Sequence, residues 1–292
     1  MGTGIGFPAI RFQGYFSARP NAPVFSGRRA SSDVSPLPTI EMHDGVHVVR
    51  DDLLPGGTKS RFLQKLFEKN DEVVYPSCTW GGAQLALACA AKAANKKAVI
   101  FVPRRKELHP RTVAAIRACG ANPAAFMPGV NGQLVLDSPN LKVIQVPMGF
   151  LSVLRARAKE YAEGHPKTMF LEAGAKSVWA EEEIAKAARD VEQQYGPFDE
   201  VWCAAGSGTL ARGLQRGFQD SRTKFYAVEV AMPVDDLGKA TVIRHEKKLS
   251  QPLKKNPAPF PSDPHYDGKA WEICQSRKGR GKILFWNVMG DL

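Results

Sequence analysis

From about residue 46 onward, short apolar runs alternate with longer segments of helical spacing. The runs at 72–75, 98–102, 143–146, 201–204 and 225–230 are apolar almost throughout, the pattern of strands covered on both faces. Between them, 82–94 is alanine-rich and apolar nearly all round, which predicts a buried helix. Residues 180–195 are amphipathic and open near Glu181, Glu182 and Glu183, negative charge that favours a helix N-terminus. Strands alternating with helices predict an α/β fold on a mainly parallel sheet. Residues 1–45 carry Gly, Pro, Ser and Arg with little periodicity and read as an irregular arm. The stretch 251–264 holds Pro252, Pro257, Pro259, Pro261 and Pro264, so it continues neither a helix nor a central strand. A loop near the mouth of an active site is expected there.

A chain of 292 residues, 43% of them hydrophobic, suffices for two domains or one large α/β unit at roughly 100–200 residues per domain. No window of about 18 apolar residues suggests a membrane span, and the first residues lack the pattern of a cleaved leader. A soluble, cytoplasmic protein is expected. Its five cysteines, Cys78, Cys89, Cys119, Cys203 and Cys274, are odd in number and contain no C-x-x-C pair, which fits a reducing compartment and argues against a disulfide framework or zinc knuckle. The six histidines show no metal-ligand spacing, so no metal is expected. Lysine and arginine number 40 against 29 acids, a net charge of +11; such a field attracts polyanions, though a basic surface also serves solubility.

Two segments carry candidate chemistry. In Gly56-Gly57-Thr58-Lys59-Ser60-Arg61 a strand end meets two glycines and a lysine that opens a helix. The glycines allow a tight turn and close backbone approach, and Lys59 is placed to point into a cleft. A lysine so placed forms a Schiff base if its surroundings make the neutral amine accessible; taken alone, such a residue is more often solvated. In the second segment, Cys203 to Leu214, an apolar strand gives way to Gly206-Ser207-Gly208-Thr209-Leu210 and a helix. Backbone N–H groups at such a start bind phosphate, aided by the Ser207 and Thr209 hydroxyls. The turn lacks the Lys-Ser/Thr ending of a nucleotide P-loop and lies too late for an opening dinucleotide fingerprint.

Together these segments resemble the fold-type-II pyridoxal 5′-phosphate (PLP) enzymes of the tryptophan synthase β group. The nearest branch is that of 1-aminocyclopropane-1-carboxylate (ACC) deaminase and D-cysteine desulfhydrase, whose Schiff-base lysine lies in a Gly-Gly-Asn-Lys-x-Arg setting. The resemblance covers about 38–292 and implies that Lys59 holds PLP and that Gly206, Ser207, Gly208, Thr209 and Leu210 bind its phosphate. Asp263-Pro-His-Tyr-Asp-Gly-Lys-Ala270 is similar to a stretch of that branch; it implies an active-site role for Tyr266 and contact between Asp267 and the pyridine nitrogen, which an acid keeps protonated. The resemblance also aligns Thr79, Trp80, Gly81 and Gly82 with the loop that grips the substrate carboxylate. Here Trp80 and Gly82 replace the usual polar side chains, and Leu284-Phe-Trp-Asn-Val-Met-Gly290 lacks the expected Thr-Gly-Gly.

The implied architecture is a large mainly parallel PLP-binding domain from 1–71 and 151–292, a smaller inserted α/β domain at 72–150, PLP between them, and a homodimer. An apolar pocket desolvates a carboxylate and favours its loss as carbon dioxide, so Trp80 and Gly82 lean toward decarboxylation. Basic runs at Arg104-Arg105-Lys106, Arg244 with Lys247-Lys248, Lys254-Lys255 and Arg277 to Lys282 suit a nucleic-acid backbone, and Trp80 suits stacking on a flipped base or simple packing. PLP enzymes also serve bacteriophages that build amino-acid-derived groups onto thymine. The leading expectation is therefore a decarboxylase of an amino acid attached to a thymine base in DNA. The alternatives are a lyase or deaminase of a small free amino acid and a non-catalytic PLP-fold binding module.

Overall fold

The computed structural model describes residues 36–77 and 79–290. Of the expected arm, residues 1–35 lie outside the described residues, and the remainder contains β1 (Ile40–His43). Regular structure thus starts ahead of Val46. The four residues of β1, just before the Asp44-Gly45 turn, are too few to show a period, and antiparallel pairing with β2 (Val46–Arg50) makes them a strand.

The chain continues as α1 (Ser60–Lys69), β3 (Glu72–Pro76), α2 (Ala83–Ala93), β4 (Lys97–Pro103), α3 (Pro110–Ala118), β5 (Met127–Pro128), β6 (Leu134–Asp137) and β7 (Leu141–Val146). There follow α4 (Leu151–Glu163), β8 (Thr168–Phe170), α5 (Val178–Tyr195), β9 (Glu200–Ala205), α6 (Thr209–Gly217), β10 (Lys224–Glu229), β11 (Thr241–Arg244), α7 (Asp267–Arg277) and β12 (Ile283–Asn287). The apolar runs expected to be strands became β3, β4, β7, β9 and β10. Residues 251–264 form a loop.

The strands build two sheets. The first has the order β1-β2-β12-β9-β10-β11, parallel except at its β1 edge. The second runs β5-β6-β7-β4-β3-β8, with β5 and β6 antiparallel and the rest parallel. The segment 72–150 supplies five strands of the second sheet, and the sixth, β8, comes from beyond it. One apolar core joins the sheets through α1, α2, α5 and α6, represented by Val49, Phe62, Leu87, Ile100, Ile184 and Cys203. The outer face of the first sheet is covered by α7 through Trp271, that of the second by α4 through Leu154 and Ala158. Every residue of β9 is buried, as the central strand of a parallel sheet covered on both faces must be. Among the described residues no helix is long and apolar enough to cross a membrane.

Parallel strands align their carboxyl ends, and ligands of open α/β sheets bind outside those ends. β2 leads there into a 3-10 turn at Gly57–Lys59 and then α1. Gly56 (φ 88°) and Gly57 (φ 78°) occupy the left-handed region, and a Cβ on Gly57 would run into the Val288 carbonyl oxygen. The Thr58 N–H donates to that same carbonyl at 3.0 Å. Beneath the turn, the fully buried Asp51 carboxylate accepts from Arg61 Nε at 3.0 and 2.9 Å and from Trp286 Nε1 at 2.9 Å. An unpartnered charge in that position is costly. Arg61→Met leaves Asp51 buried without its counter-ion and is expected to destabilise the protein by about 3–5 kcal/mol, read from urea unfolding; a change within experimental error of zero would contradict the role assigned to the pair.

Candidate active site

Lys59 lines a cleft of about 400 Å³, partly open to solvent. Gly206, Ser207, Gly208, Thr209, Leu210 and Tyr266 line the same cleft, so one place gathers the lysine, the glycine turn and the tyrosine from three separate parts of the sequence. The turn works locally as its composition suggests. β9 ends at Ala205, Gly208 caps α6 in the left-handed conformation (φ 79°), and the first N–H groups of a helix have no partner within it. The Ser207 and Thr209 hydroxyl oxygens lie 3.1 Å apart, and the Ser207 hydroxyl donates to the Gly174 carbonyl at 3.4 Å, so two hydroxyls stand at the same helix end. α6 is brought up by close packing: a Cβ on Gly213 would lie 2.7 Å from the Ile184 Cβ on α5.

Asp267 follows Tyr266 at the start of α7 and is fully buried. Its Oδ2 accepts from the Met289 N–H at 3.1 Å, and its Oδ1 has no hydrogen-bond partner among the described residues. Burial, and next the negative charge of Asp263, raise its pKa well above the ordinary carboxylate range; backbone hydrogen bonds from Val288 and Met289 and the charge of Lys59 pull the other way. Cys203, on the neighbouring β9, is pushed up to about 12 by burial and then by Asp267. A buried carboxylate oxygen left without a donor is what a protonated ring nitrogen would satisfy.

The cleft is complementary to PLP on three counts. A Cβ at Gly206 would stand 2.9 Å from the Tyr266 hydroxyl oxygen, so glycine there keeps the cradle open. The helix start with its two hydroxyls suits a phosphate, and the orphaned Asp267 oxygen suits the pyridine nitrogen. A buried lysine, Lys269, does not compete with Lys59: its amine donates to the Lys248 carbonyl at 2.7 Å and ties that loop to α7.

Thr79, Trp80, Gly81 and Gly82 are absent from the walls of this cleft. Thr79 lines a second, shallow pocket with room for about one water, together with Arg105, His109 and Thr112. Trp80 packs between the His109 and His265 rings, at centroid distances of 4.7 and 4.3 Å. Over Gly82 sits Met289: a Cβ on Gly82 would lie 2.6 Å from the Met289 methyl carbon. Arg111 Nη1 donates to the Met289 sulfur at 2.7 Å, and the same guanidinium forms a buried ion pair with Asp263. Met289 therefore links the Asp267 end of the site to the Thr79–Gly82 segment. Sequence reading missed it together with Arg111 and Asp263. The available signal was the missing Thr-Gly-Gly at the chain end, which marked the position without saying what filled it.

Residues 33–281 match the family of pyridoxal-phosphate dependent enzymes, and the chain belongs to that family. Solved structures share the fold. An ACC deaminase homologue has 18% identity and a TM-score of 0.66, with 84% of each chain covered. Threonine deaminase isoform 2 from Solanum lycopersicum has 13% identity and a TM-score of 0.61 over 87% of this chain and 79% of that one. A hydrogen sulfide-producing enzyme from Fusobacterium nucleatum has 14% identity and a TM-score of 0.60 over 88% and 95%. No curated protein matches the chain by sequence. The family is PLP-dependent, and the fold is that of the fold-type-II enzymes. If the α6 turn holds the phosphate, Ser207→Ala combined with Thr209→Val removes two bonds to a charged group. PLP affinity is then expected to fall about tenfold to a hundredfold, measured by equilibrium titration of absorbance; unchanged affinity would place the phosphate elsewhere.

Proposed function

We propose that the protein is a PLP-dependent lyase that breaks a bond at Cα of an amino-acid-type substrate. The observation that carries this reading is the meeting of Lys59, the Gly206–Leu210 turn and Tyr266 in one cleft beside the orphaned Asp267 carboxylate. Lys59 would hold the cofactor through its amine, and the same amine would take or return a proton at the substrate's Cα. The Ser207 and Thr209 hydroxyls and the α6 N–H groups anchor the phosphate. Asp267 Oδ1 would accept from the ring nitrogen and keep it protonated, and Tyr266 lines the cleft beside Gly206. Bound PLP supplies the electron sink that makes bonds at Cα labile.

Two reactions fit this arrangement. Deamination or another elimination from a small free amino acid is supported in general terms by the deaminase and lyase names among the similar structures. Decarboxylation of an amino acid carried on a thymine base of DNA needs a carboxylate that goes unclamped, and Thr79, Trp80, Gly81 and Gly82, which stand where a carboxylate grip is expected, do not line the Lys59 cleft. A carboxylate left unclamped beside an apolar wall departs more readily. The basic runs bear on the same choice. Arg104-Arg105-Lys106 follows β4, and Arg244 with Lys247-Lys248 closes and follows β11, both at the carboxyl ends of their strands. The run from Arg277 to Lys282 precedes β12 at the opposite end, where Lys278 and Lys282 donate to the Asp44 and Tyr195 carbonyls.

The products separate the two reactions. PLP-loaded protein is incubated with a panel of D- and L-amino acids, and separately with DNA bearing base-linked amino acids, while ammonia, 2-keto acid and carbon dioxide are assayed. Ammonia with keto acid from a free amino acid supports elimination; carbon dioxide without ammonia from modified DNA supports the second reading. Loaded protein that releases none of these from either substrate class would contradict the lyase proposal.

A further inference from the structure

Arg111, Asp263, Met289 and Asp267 are joined in a closed ring of contacts. Arg111 stands on α3, beside the second sheet, and Asp263 on the loop before α7, beside the first. Arg111 Nη2 donates to Asp263 Oδ2, and both side chains are buried. Arg111 Nη1 donates to the Met289 sulfur at 2.7 Å. The Met289 carbonyl in turn accepts from the Asp263 N–H at 3.1 Å, and the Met289 N–H donates to Asp267 Oδ2 at 3.1 Å. The guanidinium therefore reaches the Asp267 carboxylate by two routes, one through the Asp263 charge and one through Met289.

Few other charges stand near this ring. Asp263 precedes Asp267 by one helical turn, and its carbonyl accepts from the Gly268 N–H at 2.9 Å. Its Oδ1 accepts from the His265 N–H at 2.8 Å. The groups facing Asp267 are Asp263, Lys59 from the turn after β2, and the Cys203 thiol on β9. Those facing the Arg111–Asp263 pair are Lys269 on α7, His265, and His109 at the cap of α3, whose pKa burial and then the Arg111 charge lower to about 4. After burial, the Asp263 charge does most to raise the pKa of Asp267. A guanidinium in contact with Asp263 offsets that effect, because a carboxylate next to its counter-ion acts on a third group as a dipole rather than as a full charge.

We propose that Arg111 is a positioning residue for the cofactor: by neutralising Asp263 and tethering Met289, it keeps the Asp267 carboxylate charged and aimed at the pyridine nitrogen. The proposal rests on the reading of the Lys59 cleft as the PLP site. A buried ion pair adds little net stability over an apolar pair of the same volume, so its charges are better explained by what they do to the third acid. Without the guanidinium, Asp263 acts unopposed on Asp267 and favours its protonated form. A protonated Asp267 no longer holds a proton on the ring nitrogen, and the electron sink is weakened.

Two readouts keep this proposal separate from the PLP reading beneath it. In cofactor-free protein with carbon-13 labelled aspartate carboxyls, the Asp267 signal, assigned by its loss in Asp267→Asn, is followed against pH. The expected order of its midpoints, from low to high, is Asp263→Asn, then the Arg111→Met, Asp263→Asn double variant close to wild type, then Arg111→Met. Arg111→Lys, which keeps the charge, is expected to stay near wild type. Should Arg111→Met fail to fold, the gap between Asp263→Asn and the double variant still reads the effect of the guanidinium. In the loaded protein, the nitrogen-15 signal of ring-labelled PLP is expected to move toward the unprotonated position in Arg111→Met and to return in the double variant, although the Met289 tether stays cut. Wild type that binds no PLP counts against the cofactor site and leaves the carboxyl titration to decide on Arg111. Midpoints that do not move when the guanidinium is removed, or a double variant displaced as far as Arg111→Met, would overturn the proposal.

Discussion

Residues 54–61 leave β2 through a turn with no room for a side chain at Gly57, and the position of Lys59 depends on that close contact. The Val288 carbonyl accepts the Thr58 N–H and occupies the space a Cβ would need. Asp51, Arg61 and Trp286 hold the turn from below through buried hydrogen bonds. Because β12 is the strand beside β2, the residues following it reach both this turn and Asp267. The lysine, the acid and the chain end are thereby referenced to one another before any ligand is bound, the preorganisation a catalytic site requires.

That same chain end separates two chemical environments. On one side, Val288 lines the cleft with Lys59 and the α6 turn. On the other, Met289 covers Gly82 and accepts from Arg111, whose pairing with Asp263 joins α3 of the second sheet to the loop before α7 of the first. A buried Arg–carboxylate pair is weak evidence for net stability and is well suited to fixing geometry. Here it holds two layers of the protein in register across the site.

What the sequence made legible was local. Gly56 to Arg61, Cys203 to Leu214 and Asp263 to Ala270 each keep their chemistry within about a dozen residues, and the apolar runs of β3, β4, β7, β9 and β10 are long enough to read by pattern. Distant contacts left no such trace. Arg111 and Asp263 are 152 positions apart, and β8 joins the second sheet beside β3 although it follows α4. The three-residue β8 and four-residue β1 carry too little periodicity to be seen alone. The sequence leaves Trp80 open between substrate contact and packing; His109 and His265 pack against it, one from α3's cap and one just after the proline-rich loop, a meeting that only the tertiary structure reveals.

Incubating the protein with PLP, reducing with borohydride and mapping the peptides by mass spectrometry decides whether Lys59 carries the cofactor. A pyridoxyl adduct is expected on Lys59, and none on the buried Lys269 or on any lysine of a Lys59→Ala protein treated in the same way. An adduct on another lysine, or no adduct after reduction, would contradict it.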